Sequence, residues 1–288
     1  MSHDATRSTP PMTVAFVLSG GASLGAMQVG MLRALIERDI RPDVIVATSV
    51  GAVNGAFIAS HVPTPSSLDQ LAGLWRGAHR GDVFPLEPLT GLLGFLGVRR
   101  KLVPGGALRR LVARNLLHEH LEDLPIPLHV VACDVLTGSE VLLSQGSLVD
   151  AVLASAAIPG VLPPVEWDGR LLIDGGVVNN TPISHAVFLG AEQIYVLPTG
   201  APCTLSAPPR GALAMLIHAT ELMVAQRFTG EVASLPDGID VVVLPPPCPI
   251  DVQPTDFGHA ERLMNRAELD AHAFLAARDA GLVAVSGS

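Results

Sequence analysis

The feature that most constrains the fold is a strand–loop–helix–strand–turn–helix run between residues 13 and 59. Residues 13–18 read as a strand, apolar from Val14 to Leu18, of the kind buried on both faces of a parallel sheet. It ends in Ser19-Gly20-Gly21-Ala22-Ser23-Leu24-Gly25. Over residues 26–38 apolar side chains recur at helical spacing, with Met27, Met31, Leu32, Leu35 and Ile36 on one face. Residues 43–46 are strand-like again, and residues 50–59 are apolar and small enough for a buried helix. Two strands joined through a glycine-rich loop and a helix make a βαβ unit.

The turn after the second strand is Ala47-Thr48-Ser49-Val50-Gly51. A serine between strand and helix, with glycine two residues later, is a nucleophile-elbow pattern. The sharp turn pushes Ser49 Oγ out of the backbone envelope, and a small residue at 51 leaves room for it. The following helix points its N-terminus at the serine, where developing negative charge is favoured. Ala47 stands where the G-x-S-x-G pattern has its first glycine, which the turn tolerates if φ stays negative. The Gly20–Gly25 loop has several readings. A Walker loop needs Lys-Ser/Thr after its last glycine, and Ala26-Met27 exclude it. A dinucleotide loop wants an acid at the end of the next strand, where Ala47, Thr48 and Ser49 stand. An oxyanion hole, with exposed backbone N–H groups of the loop, unblocked by Cβ, converging on a carbonyl oxygen, fits best. A plain tight turn is the bland alternative.

Composition narrows the class. With 288 residues, 49% hydrophobic and 16% charged, the chain can bury a large core and is neither disordered nor fibrous. A net charge of −9 disfavours nucleic acid as a partner. Cys133, Cys203 and Cys248 are widely separated, which suggests neither a disulfide framework nor a zinc site and points to a reduced, cytoplasmic setting. Residues 1–11 are polar, lack a signal-peptide core and are expected to be a disordered tail. The uncharged run 151–165 contains Pro159, Pro163 and Pro164, which argues against a spanning helix.

Further along, residues 68–79 read as a helix with Leu71, Leu74 and Trp75 inward. Residues 84–98 are rich in Leu, Gly and Pro and lead into Arg99-Arg100-Lys101. A helix over 108–117 then carries Arg109, Arg110 and Arg114. An apolar stretch beside a basic cluster is what peripheral contact with an anionic membrane through residues 84–114 requires. A buried cap or lid with a solvated basic helix is the alternative, and the two are compatible if the lid opens at an interface. Strands over 128–136 and 140–143 are joined by Thr137-Gly138-Ser139, and a helix spans 148–157. A strand over 171–173 ends in Asp174-Gly175-Gly176, a strand-end aspartate where α/β active sites gather. A short helix over 182–189, a strand over 193–197, a helix over 213–228, a strand over 240–244 and a final helix over 256–280 complete the chain. The expected class is α/β with a mostly parallel central sheet. One domain is expected over residues 12–288, with a core over 12–200 and a helical part over 201–288.

Two nucleophile systems fit these residues. Asp174 could activate Ser49 directly, or an aspartate could orient a histidine base drawn from His185, His218, His259 and His272. None of these histidines sits in a glycine-punctuated strand-end loop. At this point the chain resembles the patatin-like phospholipases, acyl hydrolases that use a Ser-Asp dyad. Gly20–Gly25 matches the family's G-G-G-x-[RK]-G block, residues 47–51 its G-x-S-x-G, and Asp174-Gly175-Gly176 its D-G-[GA]. Ala154-Ser155-Ala156-Ala157-Ile158-Pro159-Gly160 is similar as well. The resemblance implies a three-layer α/β sandwich with Ser49 as nucleophile and Asp174 as base. It also implies an oxyanion hole at Gly20, Gly21 and Ala22, with Gly25, Ala47, Gly51, Gly175 and Gly176 as support. The expected substrate is a lipid or other fatty-acyl ester of phospholipid or lysophospholipid type, with no metal or cofactor and no nucleic acid. Acyl transfer through the same acyl-serine is one alternative function, and a catalytically silent lipid-binding protein is another. Ala22, Leu24 and Ala47 depart from the family pattern, and Leu24 removes a positive charge from the loop.

Overall fold

Alternate residues of the central strands go to opposite faces of one sheet, and each face is covered by its own apolar layer. In the computed structural model, which describes residues 12–83, 106–200, 212–250 and 252–282, Phe16, Leu18, Ile45 and Ala47 join one cluster. Ala15, Val17, Val44 and Val46 join the other. Strands sandwiched in this way have no wet face, which is why they read as unbroken apolar runs.

The sheet has eight strands: β1 (Val14–Leu18), β2 (Val44–Thr48), β3 (Leu128–Asp134), β4 (Glu140–Leu143), β5 (Val165–Trp167), β6 (Arg170–Asp174), β7 (Gln193–Leu197) and β8 (Asp240–Val243). Their order is β5-β6-β3-β2-β1-β7-β8, with β4 also paired to β3. The pairs β1–β2, β1–β7, β2–β3 and β7–β8 are parallel. The pairs β3–β4, β3–β6 and β5–β6 are antiparallel.

The helices are α1 (Ala26–Ile36), α2 (Val50–His61), α3 (Pro65–Gly77), the single turn α4 (Arg80–Val83), α5 (Gly106–Arg114), α6 (Leu148–Ser155), α7 (Ile183–Phe188), α8 (Ala212–Ala233) and α9 (Ala260–Asp279). Helices α1, α2, α3, α5, α6 and α9 contribute to the first layer. Helix α7, with Phe228 and Val232 of α8, supplies the second. The arrangement is a mixed α/β fold with a mostly parallel central sheet and helices on both sides. Gly30 of α1 lies so close to α9 that a Cβ there would stand 2.1 Å from the Met264 carbonyl oxygen. Ten of the eleven residues of α1 are consequently buried, not one face alone.

Several expected boundaries shift. Helix α3 starts at Pro65, earlier than residue 68, because Thr64 caps it and forms a reciprocal box with Ser67. Helix α8 runs on past Phe228 and Gly230 to Ala233, and α9 begins at Ala260 instead of 256. Cys248 is disulfide-bonded, which corrects the expectation of three reduced thiols. The expected tail over 1–11 and the apolar and basic stretch over 84–105 lie outside the described residues. Among the described residues no helix is long and apolar enough to cross a membrane.

Candidate active site

Strand β2 ends in the turn that carries Ser49. Ser49 has φ +56° and serves as the N-cap position of α2, the strained geometry an elbow requires of a residue with a side chain. Ala47 remains in β2 outside the positive-φ region, so its replacement of glycine leaves the turn intact. Gly51 is needed for a different neighbour than the serine: a Cβ there would stand 2.2 Å from the Leu18 carbonyl oxygen at the end of β1. The parallel register Leu18↔Ala47 is what brings β1 and its glycine loop beside the elbow.

Asp174 reaches the serine by an unexpected route. It ends β6, which runs antiparallel to β3, so its terminus points away from the edge where parallel strands finish. Leu172 pairs with Asp134 at the outer end of β3, and Asp174 pairs with Ala132 two residues further in. Thr48 pairs with Val131, so Asp174 comes level with Ser49. Ser49 Oγ donates to Asp174 Oδ2 at 2.6 Å, and the N–H of Gly176 donates to Oδ1 at 2.7 Å. Gly175 presses against the Val131 carbonyl, where a Cβ would sit 2.2 Å away. Burial raises the Asp174 carboxyl from 3.8 to about 6, against the hydrogen bonds from Ser49 and Gly176 that favour the anion.

The histidines considered as bases are engaged elsewhere. His185 Nε2 lies 2.6 Å from Glu140, His259 Nε2 3.4 Å from Asp256, and His272 Nε2 3.1 Å from Glu37. The side chain of His218 lies outside the described part of α8.

The glycine loop also differs from expectation at one point. The N–H of Gly20 donates to the Asn180 carbonyl at 3.2 Å, so its hydrogen is occupied. Among the described residues the N–H groups of Gly21 and Ala22 have no hydrogen-bond partner. Ala22 adopts φ +51°, a conformation that a third glycine would take without strain. Gly21, Gly25 and Gly176 close against Thr199, Val50 and Asn180 respectively, each too near for a Cβ.

Two further supports are polar residues set in apolar stretches, one of them Ser155 in the 154–160 block already noted for its resemblance. Ser155 Oγ accepts the Ser49 N–H at 2.7 Å and donates to the Val131 carbonyl at 2.6 Å. Behind the loop, Trp75 Nε1 donates to Asn54 Oδ1, and Asn54 Nδ2 donates to Gln28 Oε1 and the Gly25 carbonyl. Gln28 Nε2 in turn donates to the carbonyls of Ser19 and Leu197. This fully satisfied chain ties α3, α2 and α1 to the ends of β1 and β7. It also lets Asn54 line an apolar cavity without offering an open polar atom.

That cavity runs from Ser49 along α2 past Val50, Val53 and Phe57. Leu71, Leu74 and Trp75 of α3 and Leu108, Leu111 and Val112 of α5 form its walls. Its volume is about 110 Å³, and it opens to solvent. A serine and a buried carboxylate at the end of an apolar cleft are equipped for acyl chemistry on a greasy substrate.

Fold and site together define a class, the α/β proteins that carry a serine elbow at the carboxyl end of a mostly parallel sheet. The profile of the patatin-like phospholipase family matches residues 16–187, and the chain belongs to that family. It is 32% identical over 190 residues to mouse patatin-like phospholipase domain-containing protein 6, covering 65% of this chain and 14% of that protein. An uncharacterized NTE family protein of Mycobacterium bovis is 34% identical over 180 residues, covering 62% of this chain and 47% of its own. The chain thus spans less than half the length of these relatives. VipD from Legionella pneumophila shares the fold at 16% identity and a TM-score of 0.50, over 94% of this chain and 68% of that one.

Proposed function

We propose that the chain is a lipid acyl hydrolase with Ser49 as nucleophile and Asp174 as its base. The observation that carries this reading is the 2.6 Å hydrogen bond from Ser49 Oγ to Asp174 Oδ2, beside a cleft lined by apolar side chains. Ser49 Oγ attacks the ester carbonyl carbon while its proton passes to Asp174. The tetrahedral oxyanion is met by the N–H groups of Gly21 and Ala22, which have no competing partner among the described residues. The N-terminus of α2 adds favourable potential at the same place. Collapse of the intermediate breaks the ester C–O bond, and the leaving alkoxide takes the proton from Asp174. Water then gives its proton to Asp174, attacks the acyl-Ser49 carbon and releases the fatty acid, and Ser49 recovers its proton. A carboxyl near 6 is a far better base than one near 4, so the apolar surroundings of Asp174 serve the chemistry.

Phospholipid or lysophospholipid esters are the substrates this reading favours, because the cleft is lined mainly by apolar side chains. Contact with an anionic membrane through residues 84–114 belongs to the same proposal. Helix α5 gives Leu108, Leu111 and Val112 to the cleft and turns Arg110 and Arg114 outward, while Arg109 pairs with Asp150.

Metal-free hydrolysis of a p-nitrophenyl acyl ester tests the dyad. Folded Ser49→Ala and Asp174→Asn variants are expected to lose at least about 10³-fold in kcat. For the wild type, kcat/KM should rise with pH and reach half its plateau near 6, as Asp174 loses its proton. Activity persisting in Asp174→Asn would return the role of base to a histidine. A product that appears only with an alcohol acceptor would point to acyl transfer.

A further inference from the structure

Two consecutive asparagines touch all three segments on which the proposed chemistry depends. The Asn180 carbonyl accepts the Gly20 N–H at 3.2 Å, and Asn180 Nδ2 donates back to the Gly20 carbonyl at 3.3 Å. Asn180 Oδ1 sits where a Cβ on Gly20 or Gly176 would be 2.4 or 2.9 Å away. The amide is therefore wedged between the glycine loop and the turn after Asp174. Asn179 is 1% exposed and makes the complementary set of contacts. Its N–H donates to the Gly175 carbonyl at 2.8 Å, and its own carbonyl accepts Thr48 Oγ1 at 2.9 Å, one residue from Ser49. Its Nδ2 donates to Glu140 Oε1 at 2.9 Å.

Glu140 is itself held from two directions, by His185 of α7 at 2.6 Å and Arg227 of α8 at 3.2 Å. A polar chain thus runs from the outer helices, past β4, to the elbow. Polar groups in this layer carry a desolvation cost that apolar residues of similar size avoid. What the polar set supplies instead is directional bonding that defines one geometry.

We propose that Asn179 and Asn180 are positioning residues that hold the Gly20–Ala22 loop, the Thr48–Ser49 elbow and the Asp174 turn in register, with Glu140 fixing Asn179 from behind. The proposal rests on the Ser49–Asp174 reading. It acts through geometry, where a misplacement of about 1 Å can cost about 10² in rate.

The test measures ester hydrolysis and the rate of Ser49 labelling by a fluorophosphonate in Asn179→Ala, Thr48→Val, Glu140→Ala and Glu140→Gln. Folded variants lacking a link should lose ten-fold or more in kcat and in labelling rate, with KM within two-fold of wild type. Glu140→Gln, whose amide oxygen still accepts from Asn179, should recover most of what Glu140→Ala loses. Should Asn179→Ala not fold, the near-isosteric Thr48→Val decides. The positioning role is overturned if kcat stays within two-fold, if KM alone moves, or if Glu140→Gln is as impaired as Glu140→Ala. Wild type that leaves Ser49 unlabelled overturns the dyad itself, and this proposal with it.

Discussion

At the scale of single residues, the role proposed for Asp174 runs against stability. Its carboxyl has a folded-state value of about 6 against an ordinary 3.8, so the folded protein holds the proton more tightly than the unfolded chain. The stability this group lends is complete below about pH 4. It is lost as pH rises through about 6, a difference of about 3 kcal/mol. Asp174→Asn cannot ionise and should be inactive yet more stable than wild type, with a Tm advantage that is larger at pH 8 than at pH 5. Thermal melts at the two pH values measure this, and an advantage that does not change with pH would remove burial as the cause of the raised value. Asp174 and Ser49 could be singled out in the sequence because glycine punctuates both turns. Ala22 shows what a departure from the family pattern means physically, since the loop keeps its positive φ although the residue there has a Cβ.

At the scale of elements, legibility followed the physical origin of each feature. The β1–α1–β2 unit and the elbow helix could be read because buried parallel strands and glycine loops leave compositional marks. Helix α8 could not be bounded, because Gly230 looks like a stop. A glycine within a helix costs about 1 kcal/mol, and packing of Phe228 and Val232 against the sheet offsets it. The onset of α9 was missed because Asp256 accepts the Gly258 N–H and forms a turn of its own before the helix begins. Helix α6 was recognised, but the role of its last residue was not, since a serine reveals nothing of its distant partners. Ser155 links α6, β3 and the Ser49 backbone. Replacing it with alanine leaves a buried N–H and a buried carbonyl short of a partner, which costs about 1–3 kcal/mol. Ser155→Ala should lower Tm accordingly and reduce kcat more than it raises KM, as denaturant titration and ester kinetics would record.

At the scale of the whole molecule, the three-layer class was legible while the way α9 closes it was not. Gly30 lets α9 lie directly on α1, and nothing in the sequence distinguishes this glycine from others in apolar helices. Gly30→Val forces α9 outward and should destabilise by about 1–3 kcal/mol. Hydrogen exchange should quicken first in residues 260–279, and unchanged protection there would contradict the packing described. The position of β1 has another consequence. It lies between β2 and β7, and Val14 pairs with Gln193, a residue made much later. A ribosome adding about 5–20 residues per second leaves one edge of the first strand open for roughly 10–40 s. Gly20 is held by Asn180 and Thr199, which also emerge late. In a nascent chain Ser49 therefore emerges long before Asn180 and Thr199 are available to hold the loop beside it.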